Sequence, residues 1–330
     1  MQQRTIGSRK VGAIGLGCMN LSHAYGHPPA KEDAIRLLHR AYDLGVTHFD
    51  TAALYGFGSN ETLVGEALKD RRDQIYLASK CVMTGVDGKR VIDGRPESLM
   101  RTIDEALQRL QTDYIDLYYL HRWDKNVPIE DSMGAMSRMV EQGKIGGVGL
   151  SEMSADTLRK AHAVHPITAM QTEYSLWTRN AEIAVLNACR ELGVTFVAFS
   201  PVARGFLCDG MADLDSLAEK DIRRNMPRFQ EPNSSANQRL YNSFKTLAAE
   251  AGCAPGQLAL CWLLAQGEDI LPIPGTRSIA HLEENLGAAE LNIDPSILQA
   301  AGELINQDTV SGPRYPAVTQ MEIDTEEFSD

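Results

Sequence analysis

Eight short apolar runs of strand character alternate with helical runs from one end of the chain to the other. No other feature limits the fold as much. The strand-like runs are 13–16, 46–50, 74–79, 114–120, 146–150, 168–172, 195–200 and 270–273. Helical spacing of apolar residues predicts helices over 33–44, 60–69, 95–110, 129–142, 155–164, 181–192, 238–251, 255–265, 278–287 and 295–305. Ala34, Leu37, Leu38 and Ala41 share one face of the first, which stops at Gly45. Pro96 falls in the first turn of the third, and Gly193 closes the sixth. Apolar strands separated by helices build a parallel sheet. Eight such units suit a single closed (β/α)8 TIM barrel of the α/β class, which needs about 250 residues plus insertions.

The rival is a doubly wound sheet, whose marker is GxGxxG after the first strand. The nearest strings, Gly12-Ala13-Ile14-Gly15-Leu16-Gly17 and Gly146-Gly147-Val148-Gly149, lack that spacing, so their glycines read as tight strand packing. The chain therefore reads as one barrel domain over 1–330. A charged, aperiodic insertion at 204–237 reads as a loop or lid, and 307–330 as a C-terminal tail.

Composition removes several classes. Hydrophobic residues at 43% and charged residues at 23% are ordinary for a globular chain and exclude wholesale disorder. A formal charge of −12 argues against binding a nucleic-acid backbone. No run approaches the roughly 18 apolar residues of a membrane span, and the polar start Met1-Gln2-Gln3-Arg4-Thr5 predicts no secretory signal. The cysteines, 18, 81, 189, 208, 253 and 261, are scattered without a CxxC. They predict free thiols in a reducing cytoplasm, with no zinc site.

Barrel enzymes carry their reactive groups where the strands end. Here those ends are Asp50, Ser79-Lys80, His121, Ser151-Glu152, Gln171 to Tyr174, Ser200, and Pro274 to Arg277. Three successive ends bearing Asp, Lys and His are hard to explain as solvated caps. Tyr55, in the loop after Asp50, completes a set. A phenol beside an ammonium is a better proton donor, so Lys80, held by Asp50, would tune Tyr55 while His121 receives a carbonyl oxygen.

These segments resemble the aldo-keto reductase superfamily: Asp50-Thr51-Ala52-Ala53-Leu54-Tyr55-Gly56, Ser79-Lys80, Leu120-His121-Arg122-Trp123-Asp124, Gly149-Leu150-Ser151-Glu152, Gln171 to Ser175, Phe199 to Gly205, and Ile273-Pro274-Gly275-Thr276-Arg277 with Glu284-Asn285. The style is similar to the bacterial, yeast and plant branch that includes pyridoxal-reductase-like enzymes. The resemblance implies an NADP(H)-dependent reductase of aldehydes and ketones. Tyr55 would be the general acid, Lys80 its pKa modifier, Asp50 the partner of Lys80, and His121 the carbonyl orienter, with no metal.

For NADPH or NADP, expected ahead of NADH, the resemblance assigns Ser151 and Gln171 to the carboxamide and Phe199 to stacking on the nicotinamide. Ser200, Pro201, Val202, Arg204 and Gly205 would wrap the pyrophosphate, with Asp50, Gly17, Cys18 and Met19 beside the cofactor. Gly275, Thr276, Arg277 and Ser278 lead into a helix N-terminus, a natural anion site, with Arg277 on the 2′-phosphate. His281 stands where many members carry a second arginine. Glu284 and Asn285 would reach the adenine. Glu152 replaces the asparagine of many members.

The substrate pocket is expected from Met19, Tyr25, Tyr55, His121, Trp123 and Trp177, with Tyr315 nearby. The basic string Asp221 to Phe229 reads as a cofactor-covering lid, an anionic-substrate contact or a solvated loop. Two other functions fit the same barrel: a nucleotide-binding regulatory protein similar to potassium-channel β-subunits, and an aldolase or isomerase with Lys80 as Schiff base.

Overall fold

The structure, a computed structural model, describes residues 2–328. One sheet holds eight parallel strands in chain order: β1 (Leu16–Gly17), β2 (His48–Asp50), β3 (Tyr76–Cys81), β4 (Leu117–Leu120), β5 (Val148–Ser151), β6 (Ile167–Glu173), β7 (Thr195–Phe199) and β8 (Ile270–Pro272). Each pairs with the next. The sheet curls, and backbone bonds run between the segments at its two outer strands: the Gly15 N–H donates to the Pro272 carbonyl at 3.0 Å and the Gly17 N–H to the Pro274 carbonyl at 3.3 Å.

The connecting helices are α1 (Lys31–Asp43), α2 (Ser59–Leu68), α3 (Pro96–Leu110), α4 (Ile129–Glu141), α5 (Ala155–Val164) and α6 (Val185–Leu192). Beyond β7 come α7 (Asn233–Glu250) and α8 (Pro255–Ala265), and beyond β8 come α9 (Ile279–Gly287) and α10 (Pro295–Leu304). Both faces of the sheet are buried, which is why its strands read as continuous apolar runs. Outward residues such as Phe49, Tyr118 and Phe196 pack with Leu38, Ile103 and Leu186 from the helices. Inward residues form a separate cluster of Tyr76, Ala78, Leu117, Tyr119, Ala169, Val197 and Leu271. Gly149 belongs to this packing, since a Cβ there would lie 2.3 Å from the Tyr119 ring.

Two hairpins were not legible as strands. Gln3–Ile6 pairs with Arg9–Gly12, and its Ile6 and Val11 join the inward cluster where the strands begin. Arg4 anchors it, donating to the carbonyls of Leu264 (2.6 Å), Gly267 (2.7 Å) and Ile270. Met83–Val86 pairs with Lys89–Ile92 directly after β3, on the side where strands end.

The first strand is shifted from 13–16 to Leu16–Gly17, since the Ala13 N–H donates to the Gln2 C=O beside the first hairpin rather than to a strand of the sheet. Helix α7 begins at Asn233, five residues before the expected start, since its polar first turn Asn233-Ser234-Ser235 carries no apolar periodicity. The segment before it consists of one-turn helical pieces such as Ile222–Asn225 and Pro227–Phe229.

Candidate active site

Asp50 ends β2, Lys80 lies in β3, His121 follows β4, Ser151 ends β5, Gln171 and Glu173 lie in β6, and Phe199 ends β7. Because the strands are parallel and sequential, these side chains gather at one end of the sheet. Lys80 is fully buried. Its ammonium donates to the Asp50 carboxylate, to the Thr51 carbonyl at 2.9 Å and to the Tyr55 hydroxyl at 3.2 Å. Three acceptors offset the desolvation that makes an unpaired buried ammonium so costly. Asp50 takes a further bond from Gln171 Nε2 at 2.8 Å.

Tyr55 reaches this point on a tight loop. Gly56 has a φ of +56°, and a Cβ there would lie 2.1 Å from Ser59 Oγ. Only glycine fits that turn without strain. Lys80 Nζ sits 4.9 Å from the centre of the Tyr55 ring, and the His121 ring meets that ring edge-on at 5.8 Å. The four residues expected from the sequence are therefore in contact.

The electrostatics differ from the simplest expectation. Burial pushes the Tyr55 phenol up, while Lys80 pulls the other way, and burial wins. The phenol is thus protonated at neutral pH. Burial alone would lower Lys80, but Asp50 and the phenol raise it above its ordinary value. Burial, together with Lys80, Arg122 and Arg90, drives His121 well below the usual imidazole range, so it is neutral.

A cavity of about 950 Å³ opens over these groups. Its walls include Gly17, Met19, Tyr25, Asp50, Tyr55, His121, Ser151, Gln171 and Phe199, then Ser200, Pro201, Val202, Arg204 and Gly205. Farther along it runs past Gly275, Thr276, Arg277, Ser278, His281, Glu284 and Asn285, and Tyr315 also lines it.

Besides the fully buried Lys80, three residues expected beside the cofactor or substrate do not line it. Cys18 is buried behind the wall, its Sγ 3.7 Å from the Leu16 carbonyl. Trp177 is buried and stacks on Phe206 at 4.2 Å, because the 204–237 segment folds over it. Trp123 turns its Nε1 to the Val127 carbonyl at 2.9 Å and packs on the core instead. Arg204 also corrects its expected role, since its charge is already countered. It donates to Glu173 at 2.8 Å, Tyr315 hydroxyl at 3.0 Å and Tyr25 hydroxyl at 3.2 Å. Glu152 is fully buried and accepts from Arg314 at 2.6 Å and from Glu173 N–H at 2.9 Å.

The basic string is wall rather than exposed loop. Arg223 pairs with Asp221 at 2.8 Å, Arg224 with the Leu217 carbonyl at 3.0 Å, and Arg228 with the Gly312 carbonyl at 3.0 Å. Ile222, Arg223, Asn225 and Met226 face the cavity.

Several cavity residues escaped the sequence reading, among them His23, Arg90 and Arg122. His23 stacks on Tyr55 at 6.3 Å, and Arg90 comes from the second hairpin. Neither carries a sequence signal. Arg122 lines the same end, and it had one: it directly follows His121 at a strand end.

The far end suits a phosphate-bearing cofactor. Ser278 caps α9, accepting the His281 N–H at 3.4 Å, so the helix N-terminus opens on the cavity. Such an end carries partial positive charge. Arg277, exposed beside it, donates to the His27 carbonyl at 2.6 Å and pairs with no carboxylate among the described residues. Among the described residues there is also no cluster of three or more His, Cys, Asp or Glu that could hold a metal. No single helix among them is long and apolar enough to cross a membrane.

Comparison with known proteins identifies the family of the chain. A sequence model of the Aldo/keto reductase family matches residues 13–305. The chain is 42% identical over 309 residues to probable aldo-keto reductase 1 of Glycine max, covering 93% of this chain and 89% of that protein. It is also 42% identical over 320 residues to aldo-keto reductase yakc [NADP(+)] of Schizosaccharomyces pombe, covering 95% and 94%. Among solved structures, the glycerol dehydrogenase AKR11B4 of Gluconobacter oxydans superposes with a TM-score of 0.84 at 25% identity, covering 96% of this chain and 98% of that one. These matches define an oxidoreductase. The chain belongs to the aldo/keto reductase family.

Proposed function

We propose that this chain is an NADP(H)-dependent reductase of aldehydes and ketones, built as one closed (β/α)8 barrel. The two hydrogen bonds beside the outer strands, from Gly15 to Pro272 and from Gly17 to Pro274, support closure. The observation that carries the function is the single buried ammonium of Lys80, which touches Asp50, Thr51 and Tyr55 together.

NADPH, when bound, supplies the hydride that reaches the carbonyl carbon. Tyr55 gives its proton to the carbonyl oxygen. Burial keeps that proton in place beforehand, and Lys80 at 3.2 Å stabilises the phenolate left behind. His121, held neutral, donates a hydrogen bond to the same oxygen, where negative charge develops. Asp50 fixes Lys80, with Gln171 bracing the carboxylate. Ser151, Gln171 and Phe199 would hold the nicotinamide, Ser200, Pro201, Val202 and Gly205 the pyrophosphate, Arg277 and Ser278 the 2′-phosphate, and Glu284 and Asn285 the adenine. Holding donor and acceptor in contact is itself a large part of the rate.

The assay is consumption of NADPH in the presence of aldehydes, alongside titrations of NADPH and NADH. Aldehyde-dependent oxidation is expected. Arg277→Ala should weaken NADPH binding by about tenfold or more, as for loss of a charge-assisted bond, with a smaller effect on NADH. Equal losses for the two nucleotides would remove the phosphate role from Arg277.

A further inference from the structure

Five arginines line the cavity: Arg90, Arg122, Arg204, Arg223 and Arg277. Three are neutralised by carboxylates of the chain itself, Arg90 by Glu322, Arg204 by Glu173 and Arg223 by Asp221. Among the described residues, Arg122 and Arg277 pair with none. They also lie apart. Arg277 stands at the helix terminus assigned to the cofactor phosphate, whereas Arg122 adjoins His121 and reaches toward Ser151 Oγ at 3.5 Å. The cofactor reading accounts for Arg277 and leaves Arg122 unexplained.

Arg122 is half-buried and fixed in place. Its Nη1 donates to the His121 carbonyl at 2.7 Å, while Nε and Nη2 bond to no protein atom among the described residues. That leaves one planar edge of two donors free on a residue that lines the cavity, at an end where the other arginines are paired. A guanidinium edge of this kind matches the two oxygens of a carboxylate. The opposing charges at this end are spent, since Asp50 is engaged by Lys80 and Gln171. The remaining acidic cavity residues, Asp209 and Glu284, both lie near Cys208.

We propose that Arg122 is a substrate-binding residue and that the preferred substrate is a carbonyl compound carrying a carboxylate. The proposal rests on the carbonyl-reductase reading and deepens it. The guanidinium holds the carboxylate while Tyr55 and His121 hold the carbonyl oxygen, so the acid group fixes which way the carbonyl enters.

The test compares 4-carboxybenzaldehyde with its neutral isostere, methyl 4-formylbenzoate, in NADPH-dependent reduction by the full chain. Wild type should favour the acid in kcat/KM by about tenfold or more, the effect of one charge-assisted bidentate contact, and mainly through KM. Arg122→Gln should collapse that ratio, and Arg122→Lys, keeping the charge without the fork, should leave an intermediate one. A wild-type ratio of one or below overturns the proposal. So does an Arg122→Gln variant that slows both aldehydes equally, because Arg122 would then act on the cofactor or on His121 alone. Reduction of the ester with no preference for the acid sinks this inference and spares the reductase reading. Failure to reduce either aldehyde sinks both.

Discussion

Tyr55 has to keep a proton at neutral pH and still release it to a carbonyl oxygen. Burial supplies the first property and the Lys80 ammonium the second. The sign of the pH dependence follows. An acid catalyst fails as pH rises through its pKa, and here that pKa lies above the ordinary phenol value of about 10. His121, held far below its usual range, adds no ionisation near pH 6 or 7. The kcat/KM for aldehyde reduction, which reports the free enzyme, should therefore be flat through neutrality and fall only on the alkaline side. A pH–rate profile with a limb near pH 6.5 would show that a different group carries the proton.

At the scale of elements, the C-terminal tail is an integral part of the site's framework. Arg314 donates to Glu152 at 2.6 Å and Glu173 at 3.0 Å, both at strand ends. Asp324 accepts from the Ser154 N–H at 3.1 Å, the Ser154 hydroxyl at 2.9 Å and the Thr157 hydroxyl at 2.6 Å, closing the N-terminus of α5. Asp324→Ala should cost about 1–2 kcal/mol in urea unfolding, as for loss of hydrogen bonds to a charged group that braces the Ser154 cap. An unchanged midpoint would mean the tail is not coupled to α5.

The eightfold alternation was legible because both sheet faces are apolar and most helices present one apolar stripe. The tetrad was legible because a strand-end position fixes where a side chain emerges. Neither hairpin was, since Arg4 and the segment Lys89-Arg90 are charged and read as surface. The tail's role was hidden too, because its partners Glu152 and Glu173 are more than 140 residues away in sequence. Trp177 misled for a related reason: nothing in its neighbourhood foretells Phe206 stacking over it.

Across the whole molecule, a chain of net charge −12 places guanidinium groups around an active-site cavity, so local field and total charge are independent. Glu173 shows how that is sustained. Burial would raise its carboxyl, but Arg204 and Arg314 override it and hold it down at about 2. Because this lies below the usual value of 4.5, the stabilisation is present above pH 4.5 and is lost as pH falls toward 2. Glu173→Gln should destabilise the fold by about 3–5 kcal/mol at neutral pH, the cost of stranding buried charges. The gap from wild type should narrow as pH drops below 4.5, which denaturant unfolding across that range would show. A gap independent of pH would contradict the assignment.

The central claim is that side chains from β2, its following loop, β3 and the end of β4 converge to protonate a carbonyl. The most direct measurement is the rate of NADPH-dependent aldehyde reduction by wild type and Tyr55→Phe, with NADPH affinity measured on both. A loss of about 100-fold or more in kcat, the low end for removing a general acid, with NADPH binding retained, is the predicted result. Equal rates in the two proteins would contradict it.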